Sequence, residues 1–206
     1  MVDGGKRIYL ASRSPRRREL LKQIGIAFEV LLLREDLRRG SDVDERPLPA
    51  ETPAAYVTRI ARAKAETGWR QVAKRALPPY PVLAADTTVA LDNEIISKPA
   101  DAEQARQLLA RLSGRTHQVL TAVAIARMNR LETALSISAV EFRQLDAGEI
   151  RRYVASGEPL DKAGAYAIQG AAAAFVRAIS GSYSGIVGLP LYETAELLHR
   201  YDITPA

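Results

Sequence analysis

The sequence predicts an α/β protein: a mixed β-sheet flanked by helices, in one domain spanning residues 1–206. Three observations carry this. Helical and strand patterns alternate along the chain. Several strand segments are separated only by short turns, as hairpin neighbours are, which argues against a purely parallel sheet. The chain has 206 residues, 47% of them hydrophobic, enough for one core or for two small lobes sharing a cleft.

Arg7 to Ala11 (RIYLA) reads as a short buried strand, broken by Ser12, Arg13 and Ser14. Pro15 suits the first position of a helix, where its missing N–H costs nothing, and Ser14 can cap that helix before Gly25 stops it. Phe28 to Leu33 reads as a second strand. Residues 34–51 are polar, with one glycine and two prolines, and read as a long loop. Thr52 and Pro53 restart a helix that presents Tyr56, Val57, Ile60 and Ala61 on one side. After Pro78, Pro79 and Pro81, an apolar strand runs from Val82 to Leu91, interrupted only by Asp86, Thr87 and Thr88. Asp92 and Asn93 make a turn, and Glu94 to Ile96 returns. Asp101 can cap a helix whose Ala105, Leu108, Leu109 and Leu112 follow helical spacing, and Gly114 ends it. Two long strands follow, near Gln118 to Ala126 and Ala134 to Phe142, joined by a turn around Asn129. Asp146 and Glu149 form a capping-box pattern ahead of Ile150, Tyr153 and Val154. Residues 156–170 form a loop rich in glycine and charge. A strand near Ala174 to Ile179, a Gly/Ser loop, and a helix from Leu191 to Tyr201 with Leu197 and Leu198 inward complete the chain.

Composition narrows the function. No apolar run approaches the roughly 20 residues of a membrane span, and the first residues lack the apolar core of a signal peptide. The absence of cysteine excludes disulfides and thiolate metal sites and fits a cytoplasmic protein. The net charge of +5 suits either a solvated basic surface or an anionic ligand. Basic residues cluster at Arg13 with Arg16, Arg17 and Arg18, and at Arg34 with Arg38 and Arg39. Only 6% of the chain is aromatic, which disfavours a base-stacking platform, so no nucleic-acid partner is expected.

Three segments carry chemistry. In SRSPRR, Ser12 to Arg17, a strand feeds a loop and a helix N-terminus, where free N–H groups and the helix dipole favour anions. Arg16 and Arg17 add forked cations suited to phosphate; a capped helix with solvated arginines is the bland alternative. In VLAADTTVAL, Asp86 lies within an apolar strand, which is costly unless it is paired or binds a metal, and Thr87 follows it. Lys98 comes a hairpin's length later and can return to the same edge, whereas Lys64, on an amphipathic helix, carries no signal by itself. The third segment, Glu158 to Gly170, packs carboxylates, a lysine, a tyrosine and Gln169 among glycines, as functional loops and long turns both do. His117 and His199 do not form a metal motif, and His117 reads as structural.

Taken together, LASRSPRRREL, AADTTV, SKPADAEQA, LSGRTHQVLTAV, YVASGEPLDKAGAYAIQG and GSYSGIVGLPLYET resemble the motifs of the Maf family, in order and over nearly the whole chain. The resemblance implies a Maf/ITPase-like fold, with two lobes enclosing a deep cleft, and a homodimer. It implies hydrolysis of nucleoside triphosphates between the α and β phosphates with a divalent cation, Mg or Mn. Ser12, Arg16 and Arg17 fall on the phosphate-binding loop, and Lys64 and Lys98 on the two lysines that face the phosphates. Asp86 falls on the carboxylate treated as catalytic base or metal ligand. Glu45 matches a second, metal-associated carboxylate, across extra residues between Phe28 and Asp44. Ala167 departs from the glycine expected at its position.

DKAGAYAIQG resembles the branch that hydrolyses dTTP and UTP; a sister branch acting on 7-methyl-GTP carries glutamate in place of the glutamine. A glutamine amide offers one donor and one acceptor, matching O4 and N3–H of uracil or thymine. Two other readings stand beside this one. One is a housecleaning pyrophosphatase for modified nucleotides. The other is a non-enzymatic protein, a regulator of septum formation or a nucleic-acid binder using the basic surface; binding to a duplex would not require Asp86, Lys98 and Gln169.

Overall fold

The structure, a computed structural model, describes residues 7–36 and 40–205. Chain order is β1 (Arg7–Leu10), α1 (Pro15–Gln23), β2 (Ala27–Val30), β3 (Glu35–Asp36), β4 (Gly40–Ser41), α2 (Pro53–Lys74), β5 (Val82–Leu91), β6 (Glu94–Ile96) and α3 (Ala102–Leu112). It continues with β7 (Thr116–Arg127), β8 (Arg130–Phe142), α4 (Ala147–Ala155), three short 3₁₀ turns between Glu158 and Phe175, β9 (Val176–Ser180), α5 (Tyr183–Val187) and α6 (Leu191–His199). A seven-stranded sheet runs β2-β1-β5-β7-β8-β9, with β6 also paired to β5. β2, β1 and β5 are parallel, and all other pairs in this sheet are antiparallel. The expected mixed sheet is therefore what forms.

The caps read from the sequence hold. Ser14, Thr52 and Asp101 each accept a backbone N–H at their helix N-terminus, and Asp146 and Glu149 close a reciprocal capping box. Each satisfies a donor that the first helical turn leaves open.

The core divides along β5. Val82, Ala84 and Ala90 face α2, where Val57, Ala61, Ala65 and Val72 cover them. Leu83 and Ala85, on the opposite face, pack with Leu20 and Leu21 of α1 and Leu197 and Leu198 of α6. Beyond Val89 a third cluster joins α3, α4 and the aromatic side chains of Phe142, Tyr153, Tyr166 and Phe175. The first two clusters make one half of the molecule and the third the other, and β5 runs through all three.

Three elements differ from the sequence expectation. Residues expected as loop in 34–51 include a two-residue antiparallel pair, β3 with β4. The expected loop 156–170 holds short 3₁₀ turns. The expected Gly/Ser loop contains α5, capped by Ser182, whose Oγ accepts the Gly185 N–H at 3.0 Å, with Ile186 buried. A five-residue helix is too short to show a repeat. Of the second basic cluster, Arg38 and Arg39 lie outside the described residues, and Arg34 is paired with Asp42.

Candidate active site

The site forms where β5 lacks a neighbour on one edge. β1 pairs with β5 only as far as Leu83, and Ala11 N–H bonds to the Leu83 carbonyl. β6 takes up pairing at Val89. Between them, residues 84–88 of β5 have β7 on one side and, among the described residues, no strand on the other.

Arg17 fills part of that gap. Its Nε donates to the Gly188 carbonyl at 2.8 Å, Nη1 to the Ala85 carbonyl at 2.7 Å and to Ser12 Oγ at 3.3 Å, and Nη2 to Thr87 Oγ1 at 3.2 Å. Thr121 Oγ1 lies 2.9 Å from Thr87 Oγ1 and 2.8 Å from the Gly185 carbonyl oxygen. A carbonyl only accepts, so Thr121 gives its one proton to Gly185 and receives that of Thr87. Burial pulls the Arg17 guanidinium below the usual arginine range, Asp86 opposes this, and Arg16 adds to it. It nonetheless remains a cation at neutral pH.

On the α2 face, Lys64 Nζ lies 2.7 Å from Asp86 and 3.0 Å from Glu45. Asp86 is only 8% exposed, so its carboxylate would be costly without this partner. Lys64 reaches it because it continues the buried face of α2, three and four residues after Ala61 and Ile60. Glu45 comes from the long polar segment, and α2 holds that segment down. Arg59 donates to the carbonyls of Asp44 and Arg46, Tyr56 Oη donates to that of Glu45, and Arg59 also forks onto Glu51 at 2.6 and 2.7 Å. Burial, reinforced by Asp86 and Glu45, pushes the Tyr56 phenol up to about 12 and keeps it a donor.

Lys98 is exposed, two residues past Ile96; the β5–β6 register, carried on, would set it opposite Thr87. Arg16 is partly exposed beside Arg17. The adjacent Lys162 holds the Asp161 carboxyl below the usual carboxylate range, and Arg16 adds a smaller pull in the same direction. Gln169 is exposed at the tip of a turn closed by Gly170 N–H donating to the Ala167 carbonyl at 3.0 Å. Ala167 is not among the residues with positive φ, so its Cβ strains nothing where glycine was expected. The structure thus joins Ser12, Arg17 and Thr87 in one network and Glu45, Lys64 and Asp86 in another, on opposite faces of the same strand. Arg16, Lys98 and Gln169 stand apart from both. From the sequence Tyr56 read only as part of a helix's packed side, and Arg59 and Thr121 were not singled out. The only signal for Tyr56 and Arg59 was their place on the same helix as Lys64, which also describes an ordinary half-buried helix.

Two carboxylates that share one ammonium provide oxygen donors of the kind hard divalent cations take. Among the described residues no group of three or more His, Cys, Asp or Glu is gathered for a metal. A pair fits a cation that draws its remaining ligands from phosphate and water. An open groove of about 550 Å³ lies along another face of α2, beside Thr58, Arg59, Arg62, Ala63 and Leu135, and Glu45, Lys64 and Asp86 do not line it. His117 is buried, with Nε2 at 2.8 Å from the Tyr166 hydroxyl, as a structural residue would be. No helix among the described residues is long and apolar enough to cross a membrane.

The chain is 57% identical to the dTTP/UTP pyrophosphatase of Dechloromonas aromatica (strain RCB), covering 97% of this chain and 99% of that one. It is 59% identical to the dTTP/UTP pyrophosphatase of Nitrosospira multiformis, over 96% and 95% of the two chains. The structure of the Staphylococcus aureus Ham1 protein overlaps it with a TM-score of 0.45 at 18% identity, covering 66% of this chain and 72% of that one. Residues 7–201 match the family described as Maf-like protein, and the chain belongs to that family.

Proposed function

We propose that the protein hydrolyses dTTP and UTP between the α and β phosphates, giving the monophosphate and pyrophosphate. The observation that carries this is the Glu45–Lys64–Asp86 cluster set beside the Arg17-filled gap in β5. The names of the full-length relatives support the substrate class.

Phosphoryl chemistry needs mainly positioning and charge stabilisation. Arg16, Lys64 and Lys98 neutralise the triphosphate. Arg17, with its donors turned to the protein, fixes the strand edge against which the phosphates lie. Asp86 orients the water that attacks the α-phosphorus. Glu45 and Asp86 would hold a Mg or Mn ion, which when bound supplies further charge neutralisation. The Gln169 amide pairs with O4 and N3–H of the pyrimidine. A homodimer in the cytoplasm, beside the nucleotide pool, completes the proposal, and light scattering on the purified protein reads its first half.

Gln169→Glu tests the base reading. A second acceptor placed opposite O4 lowers the specificity constants for dTTP and UTP roughly ten- to a hundredfold, on the scale of a mispaired base edge. Cleavage of GTP persists or improves. An equal fall for all three nucleotides would show that Gln169 supports its turn without reading the base.

A further inference from the structure

We propose that Tyr153 and Glu158 are positioning residues for base selection, which lock the turn that presents Gln169. The proposal rests on the reading of Gln169 as the side chain that meets the base. Tyr153 is buried on α4, and its hydroxyl donates to Glu158 Oε1 at 2.8 Å. The Tyr153 hydroxyl oxygen in turn accepts the Ala167 N–H at 3.3 Å, on the near side of the turn. Glu158 Oε2 accepts the Ala171 N–H at 3.3 Å, on the far side. The turn is thus tied at both ends to one hydroxyl–carboxylate pair, while Gln169 at its tip is exposed. Gly170 makes room for the carboxylate: a Cβ there would lie 2.2 Å from Glu158 Oε1. The Tyr153 ring also packs edge-on against Phe175, 5.1 Å between centroids, which anchors the chain just past the turn.

A flexible side chain reads a base edge only as well as its backbone is fixed. A locked turn has little freedom left to lose on binding. It also leaves a mismatched edge unpaired, because the amide cannot follow it. None of the atoms involved lies in the phosphate cluster, so loosening the turn acts on binding and discrimination and spares the chemical step.

The test uses Tyr153→Phe, Glu158→Gln and Gly170→Ala, with Gln169→Ala as reference. Gly170→Ala adds only a methyl group, and it displaces the movable end of Glu158, so it should reproduce the Glu158 phenotype in a folded protein. Thermal midpoints check folding, and kcat and KM are measured for UTP and GTP. The expected result is a KM for UTP raised roughly five- to tenfold, the scale of one lost buried hydrogen bond. Turnover stays within about twofold, as it does when uniform binding is lost, and preference for UTP over GTP shrinks. Unchanged preference in all three variants, with preference lost in Gln169→Ala, overturns the proposal and leaves the Gln169 reading standing. Preference retained in Gln169→Ala overturns the Gln169 reading and this proposal with it.

Discussion

Adjacent arginines with the same charge do different work here. Arg17 spends its fork on two carbonyls and two hydroxyls across three segments of the chain, while Arg16 remains at the mouth of the site. Arg17→Ala leaves the Ala85 and Gly188 carbonyls without their donor. Urea unfolding should show a loss of about 2 kcal/mol or more, the scale of stranded buried polar groups. Arg16→Ala should change stability by less than about 0.5 kcal/mol and instead raise KM for the triphosphate. Equal stability loss in the two variants would contradict this division of roles. Asp86→Asn keeps shape and loses charge; turnover should fall at least about a hundredfold with an unchanged circular-dichroism spectrum. An Asn variant with normal turnover would remove Asp86 from the mechanism.

At the scale of elements, the segment after α4 is placed by its contact with β5. Gly164 has φ +71°, and a Cβ there would lie 2.9 Å from a Val89 methyl that branches directly from the strand. Gly164→Ala therefore suffers both from backbone conformation and from a neighbour that cannot swing aside. Its unfolding midpoint should fall, by about 1–3 kcal/mol, whereas Gly157→Ala, with open space around it, carries only the backbone cost. Equal losses in the two variants would show that packing on Val89 contributes nothing. Much of this layer was legible in the sequence because caps and periodicity are local signals. Asp86 stood out as a carboxylate in an apolar strand, and β5 was bounded correctly from Val82 to Leu91. Other features arise only when distant segments meet. The gap between β1 and β6 is a property of sheet order, and the Arg59 hold on residues 44–46 spans a loop whose path no periodicity encodes. The sequence reads Arg17 as a phosphate-binding side chain, and nothing in SRSPRR reveals the acceptors within the chain that its fork meets 68 and 171 residues away.

At the scale of the molecule, two packed halves share β5, and acid should loosen the one that carries Gln169. His117 sits among Phe142 and Tyr166, and burial lowers its pKa from 6.5 to about 4. The folded state holds it neutral, while the unfolded chain takes up a proton below pH 6.5. Its contribution is therefore complete above pH 6.5 and is lost as pH falls towards 4. The loss is on the order of 3 kcal/mol. His117→Gln should flatten the dependence of unfolding free energy on pH across that window by about one proton; an unchanged slope would assign the acid sensitivity to other groups. The central claim concerns which bond breaks and in which nucleotide, and phosphorus NMR of a UTP reaction with Mg reads the products directly. The account predicts UMP and pyrophosphate appearing together from the start. UDP and inorganic phosphate as first products, or UTP left intact while a purine triphosphate is consumed, would contradict it.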